Sequence, residues 1–528
     1  MKSYYKYPLL IALLLLAGAC EDTLDNVEPT REFEEAYFDS QERVQQSVGA
    51  VYGKVVEIYG GSFGGGSTKH ITWLLPGDDL TAQNPGVPFD AFETLNSTND
   101  RVAGVWNVLY EIIARANFVL EQIDKPGVQA VYTDPSLLET NRGEVLFLRS
   151  WANMWLWDWW RKAPLITERI NSLEDAVKPP STGFELLDQA INDLEAAAPA
   201  LPVAWDDSQR GRIIRDAAYG MLVKAYTLRA AYDNGNVEDY QRAIAAFEKI
   251  TTRALAPSFG QNFDINFENN VESLYEYQAN ENTSQENPFL SNDFGGGVGQ
   301  MSAYYNYSTR HWSSGSAGAN VSPTTKLIAA FEPGDPRQAE TFRANPDPDS
   351  VATNYFNGQA PANGFWLVKY VLPSRNFITG FGATSTNNPR ILRYADVKLL
   401  AAEAYFQTGN AVEALEQVND VRTRARFSTP DGTEAATPAN LTAITLEAIF
   451  NERFVELAGE MGIRWTDLRR WHAAGYLDLA TWGVEEFSYP HGPGSFDFEV
   501  PKNLLYPIPQ SELETNQVIN ESGNNPGY

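Results

Sequence analysis

The segment RYADVKLLAAEAYFQTGNAVEALEQVNDVRTRA spans residues 393–425. Val397, Leu400, Ala401 and Ala404 recur at spacings of three and four, so one face of a helix is apolar. Gly409-Asn410 interrupts the pattern, and Val412, Leu415 and Val418 line a second helix. The same plan occurs earlier, in AAYGMLVKAYTLRAAYDNGNVEDYQRAIAAFEKI, residues 217–250. There Ala218, Leu222, Ala225 and Arg229 share helical spacing, and Asp233-Asn234-Gly235-Asn236 makes the turn. Tyr240, Ala243, Ile244, Phe247 and Ile250 then line the partner helix. An isolated pair of this kind cannot bury its apolar face, so stacked copies are expected.

Small alanines where helices cross, an aromatic near each turn and a length near 34 residues resemble the tetratricopeptide pattern. Less regular pairs precede these two. Residues 34–59 with 101–123 form one, and 138–162 with 182–198 another. The expected fold is therefore all-α dominated, with about four tetratricopeptide-like helix pairs. A further helix is expected from Leu441, bending near Gly462. Between roughly 255 and 390 the texture changes to Gly, Asn, Ser, Pro and aromatics, which predicts a large loop-rich region with short strands at most. Residues 60–100 have the same flavour.

The stretch RSWANMWLWDWWRKAP, residues 149–164, holds five of the thirteen tryptophans. Trp151, Trp155 and Trp159 fall at i, i+4 and i+8, and Leu148 and Ala152 extend their face. Core packing is expected for these three. Trp157 and Trp160 point elsewhere, which leaves them to reach a subunit surface. Trp366, within the apolar run NGFWLVKY, is expected in the core.

The chain has 528 residues, with 40 Lys and Arg against 68 Asp and Glu, a net charge of −28. Such a surface repels phosphate backbones, so nucleic acid is not an expected partner. At the N-terminus, Lys2 and Lys6 precede an apolar run from Leu9 to Leu16, then Ala17-Gly18-Ala19-Cys20. The run is too short to span a bilayer and has the flanks of an export signal. Cys20, the only cysteine, ends that segment in a way that resembles a bacterial lipobox. Residues 1–19 then read as a signal peptide and Cys20 as the lipidated N-terminus of the mature protein. Glu21-Asp22 resembles the surface-export signal of Bacteroidetes lipoproteins; a plain acidic linker is the equal alternative. One cysteine excludes an internal disulfide, and four scattered histidines argue against zinc; no metal or cofactor is expected.

Several enzyme-like phrases fail on context. GGSFG at Gly60–Gly64 follows a helical pattern, where a nucleophile elbow needs a strand. Asp264, Asn266 and Asn269 hint at calcium ligands but lack the loop glycine. A glycoside hydrolase would use paired carboxylates. Asp78 and Asp79 are adjacent and diverge, while Arg393 with Asp396, and Glu452 with Arg453 and Glu456, sit at helical spacing. Buried ion pairs bracing the helices explain the latter better than catalysis.

Taken together, GEVLFLRSWANMWLWDWWRKAPLITE, ILRYADVKLLAAEAY, VNDVRTRAR, IFNERFVELAGEMGIRWTDLRRW and LLYPIPQSELETNQ resemble the SusD/RagB family of Bacteroidetes outer-membrane lipoproteins. The resemblance covers nearly all of the chain after Cys20. Met461-Gly462-Ile463-Arg464 departs from it, since the family more often has Gly-His-Arg or Gly-Lys-Arg. It implies a helical region over 20–262 and a C-terminal region with the loop-rich insertion over 263–528, forming one unit. It further implies a surface-held lid on a SusC-type TonB-dependent transporter, lipid-anchored in the outer membrane. Such a lid captures oligo- or polysaccharide and delivers it to the transporter without doing chemistry; a RagB-like peptide-binding lid is the alternative.

A pyranose offers a C–H face to aromatic rings and a rim of hydroxyls to amides, carboxylates and cations. Two loops supply that mixture. One contains His70, Trp73, Asp79 and Asn84; the other contains Tyr304, Tyr305, Tyr307, Arg310, His311 and Trp312. Trp312 has little apolar company in sequence and is the best single platform. Trp73 is equally able to seal the end of the helix stack.

Overall fold

The computed structural model describes residues 37–59, 69–82, 87–279, 321–344, 365–369, 387–487 and 496–528. Among them are ten helices of eleven residues or more: α1 Gln41–Lys54, α2 Asp100–Ile123, α3 Pro135–Trp160, α4 Glu185–Ala200, α5 Arg215–Tyr232, α6 Val237–Phe247, α7 Tyr394–Gln407, α8 Ala411–Arg426, α9 Leu446–Glu456 and α10 Ile463–Ala473. They pack as the pairs α1–α2, α3–α4, α5–α6 and α7–α8. Between pairs, α2 lies on α3, α4 on α5 and α6 on α7. The four expected helix pairs are present; most ends fall within about three residues of the expected ones, while the first helix, expected over 34–59, runs from Gln41 to Lys54 with a separate short turn at Val56–Tyr59.

Local chemistry sets those ends. The Asn99 side chain accepts from Arg101 N and Val102 N, both at 3.1 Å, opening α2. Asp134 accepts from Ser136 N at 2.8 Å, with Pro135 in the first turn of α3. Asn236 accepts from Glu238 N at 2.9 Å, opening α6. Such caps satisfy amides that the helix itself leaves unpaired. In the α7–α8 turn, Gly409 adopts φ +85°, a conformation open to glycine without steric cost.

Three expectations need correction. Trp157 and Trp160 do not reach a surface; they are 1% and 0% exposed. The Trp157 indole donates to Gly183 O at 2.9 Å and stacks on Phe184. The Trp160 indole donates to Pro507 O at 2.9 Å and meets Trp106 edge-on. From Gly143 to Trp160 every residue of α3 except Trp155 is buried, because α1, α2, α4, α5 and the C-terminal segment pack around it.

The second correction concerns the region from Leu441, which contains two helices rather than one bent helix. Gly459, Met461 and Gly462 all have positive φ, which ends α9 and reorients the chain before α10. At Gly462 a Cβ would stand 2.7 Å from Trp73 Cβ and 3.0 Å from Trp73 O, so the contact needs glycine. Third, Val412 is 76% exposed and Leu415 half-buried. The buried face of α8 is instead Ala414, Val418, Val421 and Ala425, with Gln417, Arg422 and Arg424. Buried arginines hid that face from a reading of apolar spacing.

Short antiparallel strand pairs tie distant segments together. They are β1 Leu80–Ala82 with β3 Val321–Pro323, β2 Ser273–Glu276 with β6 Arg390–Arg393, and β4 Phe342–Ala344 with β5 Phe365–Leu367. Leu80 faces Pro323, and Ser273 faces Arg393. The Trp366 side chain lies outside the described residues.

The RYAD and ERFVE phrases enter a buried ionic cluster. Its pairs run between elements rather than along the helices. Arg393 reaches Glu460 at 2.7 Å, Glu456 at 2.9 Å, and Glu272. Arg337 reaches Glu452 at 2.6 Å, Asp335 at 2.8 Å and Glu456 at 3.0 Å. Arg424 joins Glu272 and Glu456, and Lys369 joins Glu460 at 2.7 Å. In a neighbouring group, Arg453 bridges Asp467 at 2.7 Å and Asp396 at 2.8 Å. Burial would raise the Glu456 carboxyl, but Arg424, Arg393, Arg337 and Lys369 outweigh it and hold the group at about 2. Asp396 is likewise held at about 2 against burial, by Lys224 and Arg453.

Candidate functional site

Of the expected ligand-contacting residues, Tyr304, Tyr305, Tyr307, Arg310, His311, Trp312 and Asn84 lie outside the described residues, as does Cys20. His70, Trp73 and Asp79 are described, and all three are buried. His70 opens the short helix Ile71–Leu74, its ring 6.4 Å from that of Trp73. Burial and the nearby Arg101 lower its pKa to about 3, so it is neutral. Asp79 accepts from Gly459 N at 2.9 Å, and burial raises its carboxyl to about 6. Burial would also raise Asp78, yet Arg464 and Lys326 hold it below the usual range. This segment therefore braces the turn between α9 and α10.

The Trp73 ring does border open space. A partly enclosed cavity of about 60 Å³ lies between α3, α5, β6 and the start of α10. Trp73, Trp151, Trp155, Trp159 and Trp465 wall it. Trp155 is the hub: its ring centre is 5.3 Å from Trp151, 5.0 Å from Trp159 and 5.4 Å from Trp73. It is also the half-buried member of the α3 row, whereas Trp151 and Trp159 are buried in the core. The i, i+4, i+8 spacing placed these rings on one face. It could not show that the facing elements stop short of filling the space.

Three polar side chains complete the wall: Asp158, Lys224 and Thr466. Asp158 Oδ2 accepts from Thr466 Oγ1 at 2.8 Å and from Arg469 Nη2 at 2.7 Å. Lys224 Nζ lies 3.3 Å from Asp396 Oδ2. These residues carried no sequence signal of their own. They come from helices far apart in the chain, and only the packing of α3, α5 and α10 assembles them.

A second cavity, about 170 Å³, is lined by Arg210, Arg212 and Arg253 beside Trp205 and Glu276. Arg212 is held by Glu144 at 2.5 Å and Arg210 by Asp207 at 2.5 Å, so two of its three guanidinium groups are already paired. Among the described residues no cluster of His, Cys, Asp or Glu is placed to hold a metal ion.

Comparison with known proteins bears on both fold and family. Residues 348–528 match the profile described as the SusD family. Residues 24–227 match one described as starch-binding, associating with outer membrane. A SusD-like protein of Formosa agariphila is 25% identical over 560 residues, covering 98% of each chain. A SusD-like protein of Bacteroides ovatus is 22% identical, covering 89% of this chain and 83% of that one. Among solved structures, a laminarin-binding SusD-like protein superposes with a TM-score of 0.73 at 22% identity, over 93% of this chain and 100% of that one. Surface glycan-binding protein A from Bacteroides thetaiotaomicron, in complex with laminarihexaose, gives 0.67 at 21%, over 90% and 97%. Two profiles that between them take in most of the sequence, and one helical scaffold shared from end to end, place this chain in the SusD/RagB family.

Proposed function

We propose that this protein is a glycan-binding lipoprotein of the cell surface, anchored in the outer membrane through Cys20. It captures oligo- or polysaccharide and delivers it to a SusC-type TonB-dependent transporter. The observation that carries the reading is the scaffold it shares with proteins named for laminarin and laminarihexaose binding. The matching description of outer-membrane association supports the location. No helix among the described residues is long and apolar enough to cross a membrane; the reading of a lipid anchor rests on the lipobox-like Ala17-Gly18-Ala19-Cys20. Two or three acyl chains, at about 0.8 kcal/mol per buried CH₂, hold firmly where one does not.

The proposed contacts are the loop residues Tyr304, Tyr305, Tyr307, Arg310, His311 and Trp312, with Trp312 as the main platform. Each stacked ring contributes about 1 kcal/mol, and the loss of freedom on binding offsets much of that. Calorimetry against laminarin, starch and other neutral glycans should give a Kd of roughly 10 μM to 1 mM for at least one. Trp312→Ala should weaken it with no change in melting temperature. A nanomolar constant for a short oligosaccharide, or tight binding of peptides with none of glycans, would count against the proposal.

Binding is proposed without turnover. The carboxylates of the two enzyme-like phrases, Asp396, Glu452 and Glu456, each face a buried guanidinium and are committed to the scaffold. A reducing-end assay should show no release of new chain ends; sustained release would reverse this reading. For the anchor, Cys20→Ala should move the protein from the membrane fraction to the soluble one and abolish labelling by palmitate. Retention at the membrane would eliminate Cys20 as the attachment point.

A further inference from the structure

The cavity beside Trp205 carries a guanidinium that the fold leaves unmatched. The other charged groups on its wall are balanced in pairs: Arg212 by Glu144 at 2.5 Å, Arg210 by Asp207 at 2.5 Å, and Glu276 by Arg390 at 3.3 Å. Arg253 is half-buried and meets no carboxylate within 4 Å among the described residues. Its Nη1 donates to two backbone carbonyls at long range, Ser273 O at 3.3 Å and Asn270 O at 3.5 Å. Its Nη2 donates to no group among the described residues and is not sealed from solvent. Asp216 acts on Arg253 from farther off, but is committed elsewhere: it pairs with Arg215 at 3.2 Å and accepts from Thr252 Oγ1 at 2.7 Å. Burial outweighs it and lowers the pKa of Arg253, as for a cation that has lost water without gaining a counter-ion. Arg161 also lacks a carboxylate at that distance, but the Trp157 and Tyr232 rings cover its charge. A second open group lies on the wall of the Arg253 cavity. Ser273 is 7% exposed, and its Oγ makes no hydrogen bond among the described residues yet is not sealed off.

An oxyanion answers both groups. Its oxygens accept from a guanidinium in a charge-assisted bond and from a hydroxyl in an ordinary one. A cation would be repelled by three guanidinium groups, and a neutral occupant would leave Arg253 without a counter-charge. Glu276, the carboxylate on this wall, is taken up by Arg390, by Asn269 N at 3.0 Å and by Asn388 Nδ2 at 2.9 Å. The chain as a whole carries −28, which repels anions from afar. That repulsion is screened beyond roughly 8 Å at physiological salt, so the local excess of Arg253 governs the final approach. A water needs roughly 10–15 Å³ of such space. At about 170 Å³ the cavity therefore has room for an oxyanion and the atoms that carry it.

We propose that this cavity, with Arg253 and Ser273 as donors, receives the acidic group, a carboxylate or a sulfate ester, of a charged glycan. The oxyanion chemistry stands on the cavity itself; that a glycan carries the group rests on the functional reading above. The test uses the whole mature chain and calorimetry at low and high salt. Trigalacturonate supplies the carboxylate, a sulfated galactan oligosaccharide the sulfate ester, and laminarihexaose and maltohexaose are neutral controls. Wild type should bind at least one acidic probe, more weakly as salt rises, and the probe that binds tells which group the cavity takes. Arg253→Gln should lose at least about tenfold for that probe and leave the affinity for neutral hexasaccharides as in wild type. Ala204→Glu changes an exposed position on the same wall and sets a competing carboxylate beside the guanidinium groups. It should show the same selective loss with a wild-type melting curve, which separates loss of the site from loss of the fold. Wild-type affinity for the acidic probe in either variant would overturn the proposal. So would binding of neither acidic probe: with a neutral hexasaccharide bound, the glycan reading stands and only this site falls, and with no probe bound both fall.

Discussion

Glu456→Ala is expected to lower the stability of this protein by about 3–5 kcal/mol, because it leaves buried arginines without their shared counter-charge. Glu456 is fully buried and meets Arg337, Arg393 and Arg424. Those guanidinium groups cannot turn to water, since Arg337 and Arg393 are themselves 1% and 2% exposed. Glu456→Gln keeps the volume and removes only the charge, so it should recover little of the loss; a urea titration at pH 7 checks both. The pH dependence follows from the depressed carboxyls. A group whose folded pKa lies below its unfolded value contributes stability that is fully present above the unfolded value and disappears as pH falls through the folded one. For Glu456 the window runs from the ordinary 4.5 down to about 2, and Asp396 adds to it from 3.8 downward. The urea midpoint should therefore fall through this acid range, and Glu456→Gln should remove part of the fall. A wild-type midpoint in Glu456→Gln, with the same acid profile, would show that the cluster contributes no net stability.

Trp160→Ala is the second large effect. Deleting a fully buried tryptophan costs about 3–5 kcal/mol, the lost burial and the cavity together. Here the loss also has a direction. Trp160 binds the C-terminal segment through Pro507 O, and its carbonyl accepts from Asn525 Nδ2 at 3.0 Å. Next to it, Tyr506 N donates to Trp159 O at 2.8 Å. The substitution should loosen residues beyond Lys502 more than the helix pairs. Trypsin should then cut after Lys502 in the variant and not in wild type, while the helical circular dichroism persists. Resistance equal to wild type would mean that the C-terminal segment is held by other contacts.

The α5–α6 and α7–α8 pairs were the most legible, because each repeats an apolar face at the helical period around a turn that Gly235 or Gly409 makes. The α9–α10 break was half legible. Gly462 marked a change of direction, but the full turn also needs positive φ at Gly459 and Met461, and no side-chain pattern encodes a methionine in that conformation. The face of α8 was misread because Arg422 and Arg424 are buried by partners on other elements. Trp157 and Trp160 were misplaced for the same reason: what covers them is remote in sequence. For the site, composition supports only an expectation, an excess of aromatics and amides over residues 60–100 and 255–390, and most of the residues named there lie outside the described ones. The Trp155 cavity was not, since spacing shows which residues share a face but not whether the opposite wall arrives.

The distance between Trp160 and its acceptor has a consequence for how the chain is made. A ribosome delivers the amino-terminal part first, and α3 is complete 347 residues before Pro507 exists to receive its indole. Throughout that interval the Trp160 indole lacks the acceptor that it has in the finished fold, so the end of α3 is completed only by the last part of the chain to be made.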